Sequence, residues 1–181
     1  MFVANRASGK SFSAWVAAAL ILGAIAACST TPSGSGGSRI KSPPGPPRRQ
    51  VSLTDAKAAA PFAVLVPSYF PKTGVTLTGV YQIAGSASDL QLEFSDGTML
   101  SYSMRSETPD WANSSVVKSG RGTVLAYRGV SALAVEPGDQ VIGGAPHHYK
   151  GTLEWIQGGV DYTLYTDYPV AELRKIADSL R

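Results

Sequence analysis

Few residues of this 181-residue chain have types and spacings able to do chemistry. There is one thiol, Cys28, and there are two imidazoles, adjacent at His147 and His148. A single cysteine makes neither a disulfide nor a cysteine-based metal site. Successive side chains on a strand point to opposite faces, so His147 and His148 cannot both chelate one ion on regular backbone. No further cluster of His, Cys or acids at ligand spacing joins them. Asp161 and Asp167 are a candidate carboxylate pair, read here as solvated charges on the last strand and its exit. Serine is abundant, but no Gly-x-Ser-x-Gly elbow occurs, and a Ser/His/Asp triad leaves no sequence spacing to read. Ala4 to Ser11, ANRASGKS, ends like a phosphate loop. A working loop needs a buried strand before it, and only three residues precede this one. Asn113-Ser114-Ser115 is a glycan-acceptor pattern. These residues assign no catalytic, cofactor-binding or metal role, and the chain is expected to be non-enzymatic and to need no cofactor.

Cys28 is set apart by its context. Arg6 and Lys10 precede an apolar run, Ala14 to Ala27, and no acid occurs before Asp55. The run is about 14 residues, against the roughly 20 needed to span a hydrocarbon core. A basic stretch, a short apolar core and small residues at a cleavage point are the parts of a secretory signal. Ile25-Ala26-Ala27-Cys28 resembles the lipobox of bacterial lipoproteins, with Ile where Leu is usual. The resemblance implies cleavage before Cys28 and a thioether-linked diacylglycerol on it, with acylation such as palmitate. Ordinary signal cleavage near Ala24 to Ala27, or an uncleaved anchor, are the competing readings. The expected location is the cell membrane or outer membrane, lipid-anchored on the extracytoplasmic face.

The charge follows the same division. The formal net charge of +3 owes its sign to the first fifty residues, which carry +6, with Arg6 and Lys10 in the signal and Arg39, Lys41, Arg48 and Arg49 after it. Residues 51–181 hold ten Lys/Arg against thirteen Asp/Glu, a net of −3. The basic pI is thus no nucleic-acid footprint; its charges lie where a membrane-proximal segment meets anionic lipid. Residues 28–51 are rich in Gly, Ser and Pro and cannot bury enough apolar surface to offset ordering. They read as a tether. Extended, about 20 residues at roughly 3 Å each hold the rest up to about 60 Å from the membrane. The organisation is therefore 1–27 signal peptide, 28–51 tether and 52–181 one domain, long enough for a real core.

Within that domain, Ser52 to Ala60 reads as a short helix ended by Pro61. Phe62 to Val66 reads as a short buried strand or extended segment. Strand patterns follow at Val75 to Ile83, with Gly79 a candidate bulge, and at Leu90 to Phe94. Asp96-Gly97 signals a tight hairpin into Met99 to Met104. Ser106 to Gly122 reads as a long exposed loop containing Trp111. Further strands are expected at Thr123 to Tyr127, Val130 to Val135 and His148 to Ile156, with a turn at Glu136 to Asp139. Gly158-Gly159 turns the chain into Val160 to Tyr165. Pro169 to Leu180 is an amphipathic helix presenting Val170, Leu173, Ile176, Ala177 and Leu180 on one face. The expectation is an α+β fold: an antiparallel sheet of about six to eight strands, with a short N-terminal helix and the C-terminal helix packed on it.

Two segments, Pro61 to Val80 and Lys150 to Leu180, together resemble the start and end of the family "domain of unknown function 4367". The resemblance rests on the apolar stretch into a proline-bracketed aromatic, then Leu153-x-Trp155, Gly158-Gly159, Tyr162/Tyr165 and Ile176 to Leu180. Domains of this kind are similar to parts of lipoprotein-carrier-like proteins, sporulation lipoproteins and anti-sigma factors. The resemblance implies no catalytic residues.

The aromatics Trp111, Tyr149, Trp155, Tyr162, Tyr165 and Tyr168 are the remaining candidates. Tyr162 and Tyr165, three apart, face opposite sides of a strand. One side belongs to the core, and the other is a possible binding platform. The expected function is a membrane-anchored binding or scaffolding domain for an envelope protein. The alternative is a carrier or sensor of a hydrophobic or acyl ligand, and a wall-directed hydrolase is a third reading. The expected partners are the membrane, through the lipid on Cys28, and an envelope protein or hydrophobic ligand, with no nucleic acid.

Overall fold

The computed structural model describes residues 46–181. The signal-like segment, Cys28, the ANRASGKS motif and most of the tether lie outside the described residues. The fold is mostly antiparallel sheet with a few helices, as α+β patterning implies. Arg48–Gln50, expected in the tether, forms a first edge strand, β1. It pairs with β2, Leu77–Ile83, and is secured by Arg48, which lies 4.0 Å from the centre of the Tyr81 ring and 2.5 Å from Glu93 Oε1.

Between these strands comes helix α1, Leu53–Ala59. Ser52 caps it: its Oγ accepts from the Asp55 N–H at 3.0 Å and donates to Asp55 Oδ2 at 2.7 Å. The stretch after Pro61 is extended but is not a sheet strand. It pairs with the chain end, where Val66 and Arg181 exchange backbone hydrogen bonds and Pro67 bridges Leu180.

β2 begins two residues later than its alternation suggests, and the expected bulge falls between Leu77 and Gly79. The Tyr81 ring occupies the space above Gly79, where a Cβ would lie 2.5 Å from Tyr81 Cε2. β3, Asp89–Phe94, and β4, Met99–Met104, complete a meander. The Asp96-Gly97 turn is a three-residue loop rather than a two-residue one. Gly97 N–H donates to Phe94 O, Phe94 N–H donates to Thr98 O, and Gly97 has φ +83°.

Ser106 to Arg121 is more ordered than expected. It contains a single 3₁₀ turn, Trp111–Asn113, and a short helix α2, Ser115–Lys118, each capped by its own side chain, Asp110 and Ser114. Trp111 is buried rather than exposed.

β5, Gly122–Tyr127, and β6, Val130–Val135, form a hairpin across Arg128-Gly129. The expected turn at Glu136 to Asp139 is instead a passage into a separate two-stranded sheet, β7 (Gly138–Ile142) with β8 (Ala145–Tyr149). The alternation read across His148 to Ile156 therefore straddles two elements. β9 begins at Gly151 and runs to Gln157, and β10 spans Val160–Thr166. The order across the main sheet is β1-β2-β3-β4-β10-β9-β6-β5. Helix α3, Val170–Asp178, follows.

The core lies on one face of this sheet. Leu90, Leu92, Leu100, Tyr102, Leu153, Trp155 and Leu164 point to it and join Leu173, Ile176 and Ala177 of α3, all essentially inaccessible. Trp155 stacks on Tyr162 at 5.0 Å, and Tyr102 meets Tyr162 edge-on and Phe62 face-on. The opposite face carries the polar alternates of each strand, with Trp111, Leu133 and Ile156 buried outside the main cluster. Among the described residues no helix is long and apolar enough to cross a membrane.

Candidate functional site

Of the titratable side chains singled out by type, His148 and Asp167 meet, while His147 and Asp161 lie apart from them. His148 is held by two carboxylates. Its Nδ1 lies 2.8 Å from Asp139 Oδ1, its partner across β7–β8, and its Nε2 lies 3.1 Å from Asp167 Oδ1, at the exit of β10. Both ring nitrogens are therefore occupied, which removes the lone pair a metal would need. The hydrogen bond to Asp139, then that to Asp167, raises the imidazole pKa. His147 points elsewhere, as strand alternation requires. No group of three or more His, Cys, Asp or Glu able to hold a metal occurs among the described residues.

The aromatics form no exposed platform. Trp155 and Trp111 are buried, and Tyr149, Tyr162, Tyr165 and Tyr168 are each half-buried. Tyr162 and Tyr165 do face opposite sides, Tyr162 into the core stack. The Tyr168 hydroxyl donates to Asp96 Oδ2 at 3.1 Å, and Tyr127 donates to Asp178 Oδ1 at 2.9 Å. Among the described residues the largest apolar exposures are instead Val141 and Met104, with Tyr69 and Val124 after them.

Asp161 and Asp167 part company. Asp167 is solvated, but Asp161 is only 5% exposed, contrary to the sequence reading. Arg105 Nη1 makes this burial possible: it lies 2.6 Å from Asp161 Oδ2 and 3.4 Å from Glu154 Oε1. Burial, then the Asp161 charge, raises the Glu154 pKa to about 7. Glu154 is thus still partly protonated near neutral pH, and Asp161 Oδ1 is buried with no hydrogen-bond partner. This polar trio sits on the face opposite the core. A hollow of about 150 Å³ beside it is lined by Asp89, Ser101, Ser103 and Thr163. No residue spacing announces the trio. Its members come from β9, β10 and the residue after β4, and only strand register brings them together.

A larger opening lies at the other end of the sheet, on the core face. It has a volume of about 500 Å³ and is lined by Thr123 and Leu125 of β5, Ala134, Val170, Arg121, Glu136 and Tyr149. Leu125, Ala134 and Val170 give it an apolar floor. Glu136 Oε2 accepts from the Val170 N–H at 2.9 Å, capping α3 from another element, because Pro169 has no capping group. Arg121 donates to neutral partners, Ser119 Oγ at 3.2 Å and Gln140 Oε1 at 3.3 Å. Sequence reasoning missed this site because its walls come from four separate stretches. The Glu-Pro-Gly signal at residues 136–138 was read only as a turn.

Compared with known proteins, the chain matches no family model, no curated protein and no solved structure.

Proposed function

We propose that this protein is a lipid-anchored extracytoplasmic lipoprotein whose α+β domain binds an envelope protein and has no enzymatic role. Cys28 carries the lipid, and the Gly/Ser/Pro-rich stretch holds the domain off the membrane. The likeness to the domain of unknown function 4367 belongs to the same proposal.

The observation that carries the binding reading is where the domain leaves room. The space between sheet and α3 is filled by Trp155, Tyr162, Leu164, Leu173 and Ile176. An acyl ligand seated there would have to displace a close-packed core. The roomy opening is peripheral and mixed in polarity, at Arg121, Glu136, Tyr149 and Leu125. This favours a partner's side chain over a sheltered lipid.

The test is native mass spectrometry of the full chain carrying Cys28→Ala, alongside membrane fractionation. The proposal expects a protein released from the membrane fraction and free of co-purified lipid. Stoichiometric bound lipid on that variant would replace the binding reading with the carrier one. Unchanged membrane association would remove the lipid anchor.

A further inference from the structure

The two edges of the main sheet are guarded unequally. β1, at one edge, has three residues, two of them arginine, each tied to a neighbour. β5, at the other, reads GTVLAY: six residues with no charge and no proline, in unbroken register with β6 from Gly122↔Val135 to Tyr127↔Val130. Natural sheets blunt their edges with lysine, proline, bulges, short strands or a covering helix; β5 has only the last, where α2 packs on Gly122, and Val124 and Ala126 stay exposed.

The hairpin geometry says which groups are free. Arg128 and Gly129 both have positive φ, +49° and +82°, a two-residue turn that makes Tyr127–Val130 a hydrogen-bonded pair. Thr123, Leu125 and Tyr127 then bond to β6; of the outward residues Gly122 is buried against Val116 of α2, and the N–H and C=O groups of Val124 and Ala126 are the ones left at an exposed edge. No hydrogen bond from another described residue reaches them. Val124 is 37% exposed.

The same strand supplies Thr123 and Leu125 to the wall of the 500 Å³ opening. An edge with free backbone beside a pocket for alternate side chains is the arrangement of β-strand addition, in which backbone bonds supply affinity and pockets supply specificity. We infer that β5 is a docking edge for an extended segment of another protein. That segment places an apolar side chain over Leu125, Ala134 and Val170 and an acidic residue beside Arg121.

Charge selects this occupant. Arg128 is already committed to the end of α3, donating to Ala177 O at 2.9 Å and lying 3.7 Å from Asp178. Arg121 has only neutral partners. A second copy fits poorly: symmetric antiparallel pairing about Val124 would set Arg121 of each copy beside Tyr127 and Arg128 of the other, like charges at both ends.

The inference rests on the binding reading above and names its partner class. The test is selection of a random extended-peptide library on the full-length protein and on Val124→Pro. Proline at Val124 deletes an outward N–H and leaves the β6 ladder intact. The wild type should enrich alternating β-branched or aromatic peptides carrying Asp or Glu. Val124→Pro should weaken an enriched peptide about tenfold or more, as loss of an edge hydrogen bond and blocked approach imply. As a control that leaves the protein unaltered, N-methylation of alternate amides should abolish binding in one register and spare it in the other. Arg121→Glu should reverse the acidic preference.

No enrichment over the Val124→Pro background, or an N-methylated peptide binding equally in both registers, would overturn the inference. So would a wild-type dimer that Val124→Pro converts to monomer. A partner cross-linked through Tyr149 that persists in Val124→Pro would keep the binding reading while removing this edge as its route. No cross-link in the wild type would remove the reading itself.

Discussion

Glu154 and His148 bring two separate pH dependences to the same fold. The Glu154 carboxyl has a folded pKa near 7 against an ordinary 4.5. Between those values the folded state holds a proton that the unfolded state has lost, so stability falls as pH rises through the window and levels off above it. Arg105 and Asp161 face this carboxyl, and Arg105 offsets only part of the burial cost. Glu154→Gln should flatten the slope of urea midpoint against pH between about 4.5 and 7. An unchanged slope would mean that another group carries it. The His148 imidazole, also raised in pKa, contributes stability that is present below its ordinary 6.5 and lost as pH rises through the folded value. An NMR titration should place its midpoint above 6.5, and Asp139→Asn should lower it. Neither environment was legible from residue type. Asp161 read as a solvated charge because nothing in sequence places Arg105 over it.

The elements were read better than the sites. β3 and β4 follow period-two alternation, and α1 starts after the capping Ser52, because local chemistry decides these. The misreadings fall where tertiary contacts decide. β7–β8 was hidden because Asp139 to Val141 and Ala145 to His148 are exposed whichever face they take, and so show no alternation. Of the two readings of Phe62 to Val66, the extended segment holds, and Val66 pairs with the chain end at Arg181. Trp111 looked loop-bound because the capped turns around it are short. Helix α3 can be tested directly. Leu173→Ala or Ile176→Ala, each fully buried, should cost roughly 2–5 kcal/mol of unfolding free energy. A change within error would mean that the helix is not docked. Gly151→Ala should also destabilise, since a Cβ there would lie 2.9 Å from the Tyr168 carbonyl oxygen, which is backbone and cannot swing aside.

At the scale of the molecule, the chain divides its charge and its tasks. The basic residues cluster before and just after Cys28, and the domain is mildly acidic. Arg48 and Arg49, expected in the tether, belong to the fold. They dock β1 onto β2. β1 lies at the sheet edge opposite β5, the proposed docking edge. Under the proposed anchoring, the domain meets its partner at the membrane surface. The direct measurement is photo-cross-linking from an unnatural aromatic residue at Tyr149 in the full-length protein in its own cells, with and without Cys28→Ala. The account predicts a discrete cross-linked envelope protein in the wild type, lost when Cys28 is replaced. An identical cross-link from the released variant, or none from the anchored one, would contradict it.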